Sequence, residues 1–239
     1  MLFRSGSHAR NFLKDYSGIC VTDGYAVYHT AEKQLEDLQI AGCWVHCRRR
    51  FDEALKVIPK EKQKESIAFL AMKQIQAIYR EEGKLADLTN EERLKQRQTV
   101  IKPLVDAFFA YLKINQPSVP KGKLSDAFGY ALNQEKYLKV FLTDGDVPMD
   151  NNASERAIRG FCIGKKNWQV IDTINGANSS AILYSITETA KANNLKPYDY
   201  VEYLLEEIPK HMDGSSLAFL DELMPWSESL PEHIRKSQK

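Results

Sequence analysis

The run Met149-Asp150-Asn151-Asn152-Ala153-Ser154-Glu155-Arg156-Ala157-Ile158-Arg159 sets one glutamate among amides and guanidiniums. With Asp150 at or near a helix N-cap, Asn151, Glu155 and Arg159 fall at i, i+4 and i+8, one stripe of a helix, with Asn152 and Arg156 alongside. That set suits chemistry that handles phosphate and a metal ion together: the carboxylate holds the cation and the guanidiniums fork onto phosphate oxygens. A plainer reading stands beside it, since Asn152-x-x-Glu155 also makes a capping box and helix arginines commonly face water. A second acid, Asp23, ends the β-branched run Gly18-Ile19-Cys20-Val21-Thr22. Alternation puts Ile19, Val21 and Asp23 on one face, with the acid at the C-terminal end of the strand, where ligands sit in α/β folds. Asp23-Gly24 is equally a common turn pair.

Three further groups carry possible chemistry. Cys43-x-x-His46, with Cys47, invites zinc, but zinc takes four ligands and no second Cys/His pair follows at finger-like spacing, so a packed strand–helix junction is the competing reading. Arg48, Arg49 and Arg50 point in three directions around a helix. At most two of them reach one phosphate backbone, and a solvated basic turn explains them as well. Phe161 to Ile171 reads as two short extended pieces around a basic, aromatic tip, where Lys165 and Lys166 would meet phosphate and Trp168 would stack on a base. A surface hairpin anchored by its tryptophan accounts for the same residues.

The elements that must position these groups are mostly helices. A short helix spans His8 to Leu13, and another runs from about Tyr25 to Glu36. A second strand covers Leu38 to Trp44, followed by a helix over Val45 to Leu55. From about Lys60 to Lys113 the pattern becomes long and amphipathic: Ala71, Ile75, Ile78 and Tyr79 recur at helical spacing, as do Val100, Ile101, Leu104, Phe108 and Tyr111. Thr89 and Glu92 form a capping box between them, and Lys102-Pro103 kinks or restarts the second helix. After the break at residues 116–120, helices cover Leu124–Leu132 and Gln134–Leu142. Beyond the Glu155 helix, Ala177 to about Asn193 should be helical, with Ile182, Ile186 and Ala190 on its core face. Pro197 opens a last helix.

Composition narrows the class. The 239 residues are 43% apolar and 27% charged, ordinary for a soluble globular protein, and the net charge of +1 leaves any attraction to nucleic acid to local patches. Four irregularly spaced cysteines make no disulfide framework, no apolar run reaches membrane-spanning length, and no signal peptide is present. A reduced, cytoplasmic setting with no membrane partner is the expectation.

Taken together, the motifs exceed their parts. Thr22-Asp23-Gly24-Tyr25-x-x-Tyr28, Gly42-Cys43-Trp44-x-His46-x-Arg48-Arg49-x-Phe51, Asp150-Asn151-Asn152-x-x-Glu155-Arg156-x-x-Arg159 and Gly164-Lys165-Lys166-Asn167-Trp168 resemble, in order and spacing, the insertion sequence sixty-six family of bacterial transposases. Tyr184-Ser185-x-x-Glu188-Thr189-Ala190-Lys191-Ala192-Asn193 and Pro197-Tyr198-x-Tyr200 continue the likeness, which covers nearly the whole chain.

The resemblance implies a DDE catalytic domain, an α/β and mostly helical ribonuclease H-like fold with an all-α insertion between the second aspartate and the glutamate. It makes Asp23 the second catalytic aspartate and Glu155 the catalytic glutamate, 132 positions on (155 minus 23). Both would be ligands of Mg²⁺ and would face each other across one cleft. DNA, as transposon ends and target, would be the partner, contacted by Arg48, Arg49, Asn151, Asn152, Arg156, Arg159, Lys165, Lys166 and Trp168. No residue before Asp23 fits the first catalytic aspartate, so the chain reads as a C-terminal part lacking the first strands, inactive by itself. A non-catalytic DNA-binding or regulatory remnant is the alternative. The divisions expected are 1–58 for the partial core, 59–142 for the insertion, 143–194 for the return to the core and 195–239 for a C-terminal helical element. The strand ending at Asp23, left without its first-strand neighbour, should self-associate through residues 18–23, be covered by the chain's own N-terminal residues, or make the chain express poorly.

Overall fold

β1 (Gly18–Thr22) and β2 (Leu38–Gly42) lie parallel in one-to-one register, Gly18 opposite Leu38 and Thr22 opposite Gly42. They form the two-stranded sheet of a computed structural model that describes residues 6–168, 171, 173–212 and 216–237, without the side chains of 165–168. Two parallel strands need a crossover, supplied here by α2 (Ala26–Glu32). β2 is the more buried strand, and no third strand pairs with β1 among the described residues. Ile19 and Val21 pack into the main core while Cys20 faces a smaller cluster with Leu13 of α1 (Gly6–Leu13), as period-two alternation requires.

The rest is helical. α3 (Trp44–Lys56) follows β2, and α4 (Lys60–Gln63), α5 (Ile67–Gly83), α6 (Asn90–Gln96), α7 (Lys102–Asn115), α8 (Lys123–Asn133) and α9 (Glu135–Leu138) succeed it. Thr89 and Glu92 cap α6 reciprocally as their spacing demands. Pro103 stands in the first turn of α7, and the restart is made by a π-helical turn, Arg97–Ile101. The strand and helix over 38–55 change places earlier than expected: β2 ends at Gly42, two residues sooner, and α3 opens at Trp44, one residue sooner.

The core of this part gathers Trp44, Phe51, Phe108, Phe109, Phe128 and Phe141, each no more than 1% exposed. Trp44 meets Phe108, Phe109 and Phe141 at ring-centroid separations of 5.7–6.2 Å, and its Nε1–H donates to Leu138 O at 2.8 Å, so the buried indole leaves no polar atom unpaired.

Within this core Arg97 is 1% exposed. Its guanidinium pairs with Glu82 and donates to the carbonyls of Phe141 (2.9 Å) and Asp144. Gln98 Nε2 donates to Leu142 O at 2.6 Å, and Arg93 Nη1 to Gly145 O at 3.2 Å. The helices thus grip residues 141–145, the segment that leads to Asp150.

α10 (Asn152–Trp168), α11 (Ile174–Ala192) and α12 (Pro197–Glu207) complete the element order. The chain divides into two compact units, Met1–Ala153 and Ser154–Lys239. In the second, Ala190, Leu195, Tyr200, Leu230 and Ile234 are buried together, and Tyr200 Oη donates to Leu223 O at 2.7 Å. Leu223 is buried, whereas Trp226 is exposed. Two expectations need correction. Residues 161–168 continue α10 and are not extended: Phe161 meets Tyr184 edge-on at 5.1 Å, and Gly160 lets Glu188 of α11 come close, contacts that period-two reading of Phe161, Ile163 and the glycines could not anticipate. Ile182 does not join the core face of α11; it is 60% exposed, while Ile186 and Ala190 pack.

All four cysteines are free. Cys43 and Cys47 are buried and Cys20 half-buried, burial pushing each thiol above its ordinary range; Cys162, on α10, is exposed.

Candidate active site

Asp23 follows the last residue of β1, so it stands at the C-terminal end of a parallel strand, where the fold class places ligands. It is exposed, and its Oδ1 accepts from the Tyr25 N–H at 3.0 Å, an Asx turn that leads into α2. Gly24 takes φ +82°, a left-handed conformation that glycine adopts without cost. The Asp23 carbonyl accepts from Tyr130 Oη of α8 at 3.0 Å, across 107 positions of sequence. Arg50 of α3 lies over the Tyr130 ring, 4.3 Å from its centroid. Sequence reasoning missed Tyr130 altogether; the only trace was Gly24 after the acid, which marks a special backbone but not its partner.

Cys43 proves to be a junction. Its N–H donates to Thr22 O at 3.0 Å, and Trp44 N donates to Met149 O at 2.9 Å, so the ends of both strands, the start of α3 and the segment before Asp150 meet here. Burial raises the Cys43 thiol, while the N–H groups of Asn151, His46 and Val45 directed at its sulfur work the other way. A buried thiol at a helix start, surrounded by backbone donors, is the strand–helix junction weighed against zinc above. His46 lies one turn along α3 from it.

Asp150 Oδ1 accepts from Asn152 N at 3.0 Å, and α10 starts at Asn152, so Asn151 precedes the helix instead of sharing its stripe. Asp150 lies close enough to Tyr79 that, after burial, its charge is the next cause pushing that phenol up. Around Tyr79 and Asp150 a cavity of about 370 Å³ is also lined by Arg93 and Arg97, whose donors are already engaged by Leu85, Glu82 and backbone carbonyls.

Of the residues assigned to DNA, Arg48, Arg49, Arg156 and Arg159 are exposed, and Asn151 and Asn152 half-buried. Arg48 and Arg49 sit in the second turn of α3, Arg156 in the second turn of α10 and Arg159 at the start of its third. Lys165, Lys166 and Trp168 fall in the last turn of α10, with side chains outside the described residues. Glu155 is half-buried in the first turn of α10, where the helix dipole favours a negative charge. Asp23 belongs to the first unit and Glu155 to the second.

Both acids offer the hard oxygen donors that Mg²⁺ takes, and the exposed Asp23 keeps one carboxylate oxygen beyond the turn it caps. Among the described residues, no group of three or more His, Cys, Asp or Glu is assembled to hold an ion. The donor type fits the cation.

The family model described as Transposase IS66 family matches residues 3–179, and that of the IS66 C-terminal element matches 185–226. Among curated proteins, "Uncharacterized protein y4hP" of Sinorhizobium fredii (strain NBRC 101917 / NGR234) is 28% identical over 234 residues, covering 93% of this chain and 42% of the relative. "Uncharacterized protein y4qI" of the same organism is 30% identical over 222 residues, 90% of this chain and 40% of the relative. The chain therefore spans about two fifths of the length of these relatives. No solved structure matches. Among the described residues, no helix is long and apolar enough to cross a membrane. With both models matching in sequence order across most of its length, the chain belongs to the IS66 family of transposases.

Proposed function

We propose that this chain carries two of the metal-binding carboxylates, Asp23 and Glu155, of a DDE transposase with a ribonuclease H-like core, and that it works in DNA strand cleavage and strand transfer. The observation that carries this is the placement of Asp23: exposed at the C-terminal end of a parallel strand, with one carboxylate oxygen held by a backbone N–H. Mg²⁺, when bound, supplies Lewis-acid polarisation of the phosphoryl group and a lowered pKa for a bound water. The chain's own residues do the rest. Asp23 and Glu155 provide the charge that binds the cation, and Arg156 and Arg159, one and four residues past Glu155, hold phosphate oxygens. Asn151 and Asn152 add neutral hydrogen bonds to the DNA backbone, and Arg48 and Arg49 extend the basic surface from α3. Lys165, Lys166 and Trp168 complete the DNA-contacting set. No further strand pairs with β1 on its side away from β2 among the described residues, and Tyr16 Oη donates to Ile19 O at 3.0 Å, so self-association through residues 18–23 would have to displace that contact.

A protein extended to the length of the relatives should nick and join DNA carrying the element's ends in Mg²⁺ or Mn²⁺, and the 239-residue chain by itself should not. Metal-dependent nicking by the pure chain, lost in Glu155→Gln, would disprove the need for a further carboxylate. An extended protein that binds these ends but never cuts them would favour the remnant reading.

DNA binding itself is expected from the chain as it stands. Each phosphate contact contributes about −0.9 to the slope of log K against log salt, so Arg156→Ala with Arg159→Ala should flatten that slope by about 2. Fluorescence anisotropy on a duplex between low and moderate salt reads it. A slope unchanged in the double variant, or no binding at low salt, would remove these arginines from the interface.

A further inference from the structure

We propose that Tyr130 is a positioning residue for Asp23: from the helical segment it locks the Asp23–Gly24 peptide in the one orientation that presents the Asp23 carboxylate at the end of β1. This rests on the reading of Asp23 as a metal-binding acid.

A local Asx turn fixes only half of this residue. The Tyr25 N–H holds Asp23 Oδ1 at 3.0 Å, but the peptide that follows is free to turn over, because glycine tolerates both signs of φ. Rotating the Asp23–Gly24 peptide would swing the Asp23 carbonyl to the opposite side and draw Tyr25, with its N–H, out of register with the carboxylate. Tyr130 blocks that rotation. Its Oη donates to Asp23 O at 3.0 Å, a bond made with Gly24 at φ +82°. The fit is close on the other side too: a Cβ on Gly24 would lie 3.0 Å from Tyr130 Oη and 3.1 Å from Gln134 Oε1, so α8 closes on the turn tightly enough to demand glycine. The clamp is itself stiff. Arg50 covers the Tyr130 ring at 4.3 Å, and Gln134, 8% exposed, stands one helical turn on from Tyr130. The helices between β2 and α10 thus reach the acid directly, through one hydroxyl.

Tyr130→Phe removes that hydroxyl and leaves the ring. In the 239-residue chain, amide exchange at Tyr25 should quicken by about two- to tenfold, the range a single hydrogen bond covers, while the amides of Ile75 and Ile78 in α5 report any global loss to be subtracted. Mn²⁺ added as a probe should broaden the amides around Asp23, with a Kd several-fold weaker in Tyr130→Phe than in the parent. Gly24→Ala should weaken Mn²⁺ similarly, and the double variant no further, since both disrupt one clamp. An unchanged Tyr25 exchange rate and Mn²⁺ Kd in Tyr130→Phe, or fully additive losses in the double variant, would overturn the positioning role. Asp23→Asn separates this from the underlying reading: broadening that survives it, or that never develops in the parent, refutes Asp23 as a metal ligand, whereas its loss together with an indifferent Tyr130→Phe refutes only the clamp.

Discussion

Glu155→Gln, in a protein extended to the relatives' length, should lower strand transfer by at least about a thousandfold while leaving DNA affinity within about threefold. The amide keeps the size and helix position of the acid, so any loss comes from charge and not from packing. Stabilising the charge that builds on a phosphoryl group is worth several kcal/mol, and each 1.36 kcal/mol is a factor of ten in rate. DNA affinity, by contrast, is set by phosphate contacts from arginines and lysines that the substitution spares. Asp23→Asn should match it, because both acids serve the same cation in the proposed reaction. Single-turnover cleavage of a labelled end, with anisotropy on the same duplex, separates the two quantities. Strand transfer within tenfold of the parent would sink Glu155 as a metal ligand, and a parallel collapse of DNA affinity would show that it supports the helix instead.

Arg97→Ala should cost about 3–5 kcal/mol of folding stability, the range for removing one partner of a buried ion pair. Two losses combine at this site. Glu82 keeps a carboxylate whose side chain is only 17% exposed, now without its guanidinium, and the carbonyls of Phe141 and Asp144 lose a donor. Arg97→Met with Glu82→Leu should recover part of the loss, because apolar side chains replace a buried pair at little cost while the two carbonyls stay unsatisfied. Urea denaturation gives the test as a shift in midpoint at nearly constant slope. A loss below about 1 kcal/mol in Arg97→Ala would mean that the pair is solvated in a way its burial does not show.

How far the sequence revealed this molecule depended on range. β1 over Gly18–Thr22 was readable to the residue, because a short β-branched run between Gly and Asp-Gly obeys local rules. Thr89 with Glu92, and Pro197 at the start of α12, were readable for the same reason. Alternation put Ile19 and Val21 on one face, and that face packs against the main core. The continuation of α10 through residue 168 was not legible, since Gly160, Gly164 and the basic run look like turn signals until Phe161 is seen against Tyr184. At the site, residue type singled out Asp23 and Glu155, but the supports of Asp23 come from distant sequence. Tyr130 stands 107 positions away, and nothing in the spacing of Tyr130-Ala131-Leu132 separates a clamp from an ordinary half-buried tyrosine. Arg97 was hidden in the same way, because an arginine in a helical stretch reads as solvated until the carbonyls of 141–144 close around it.

The cysteine distribution has a practical consequence. Thiol reagents attack the thiolate, and burial suppresses that form at Cys43, Cys47 and Cys20. Cys162 stands in solvent on the helix that carries Glu155, seven residues on, about two turns. A brief treatment with a maleimide dye or nitroxide label at neutral pH should therefore react first at that address, and would place a fluorescent or paramagnetic reporter beside the proposed chemistry without a single substitution.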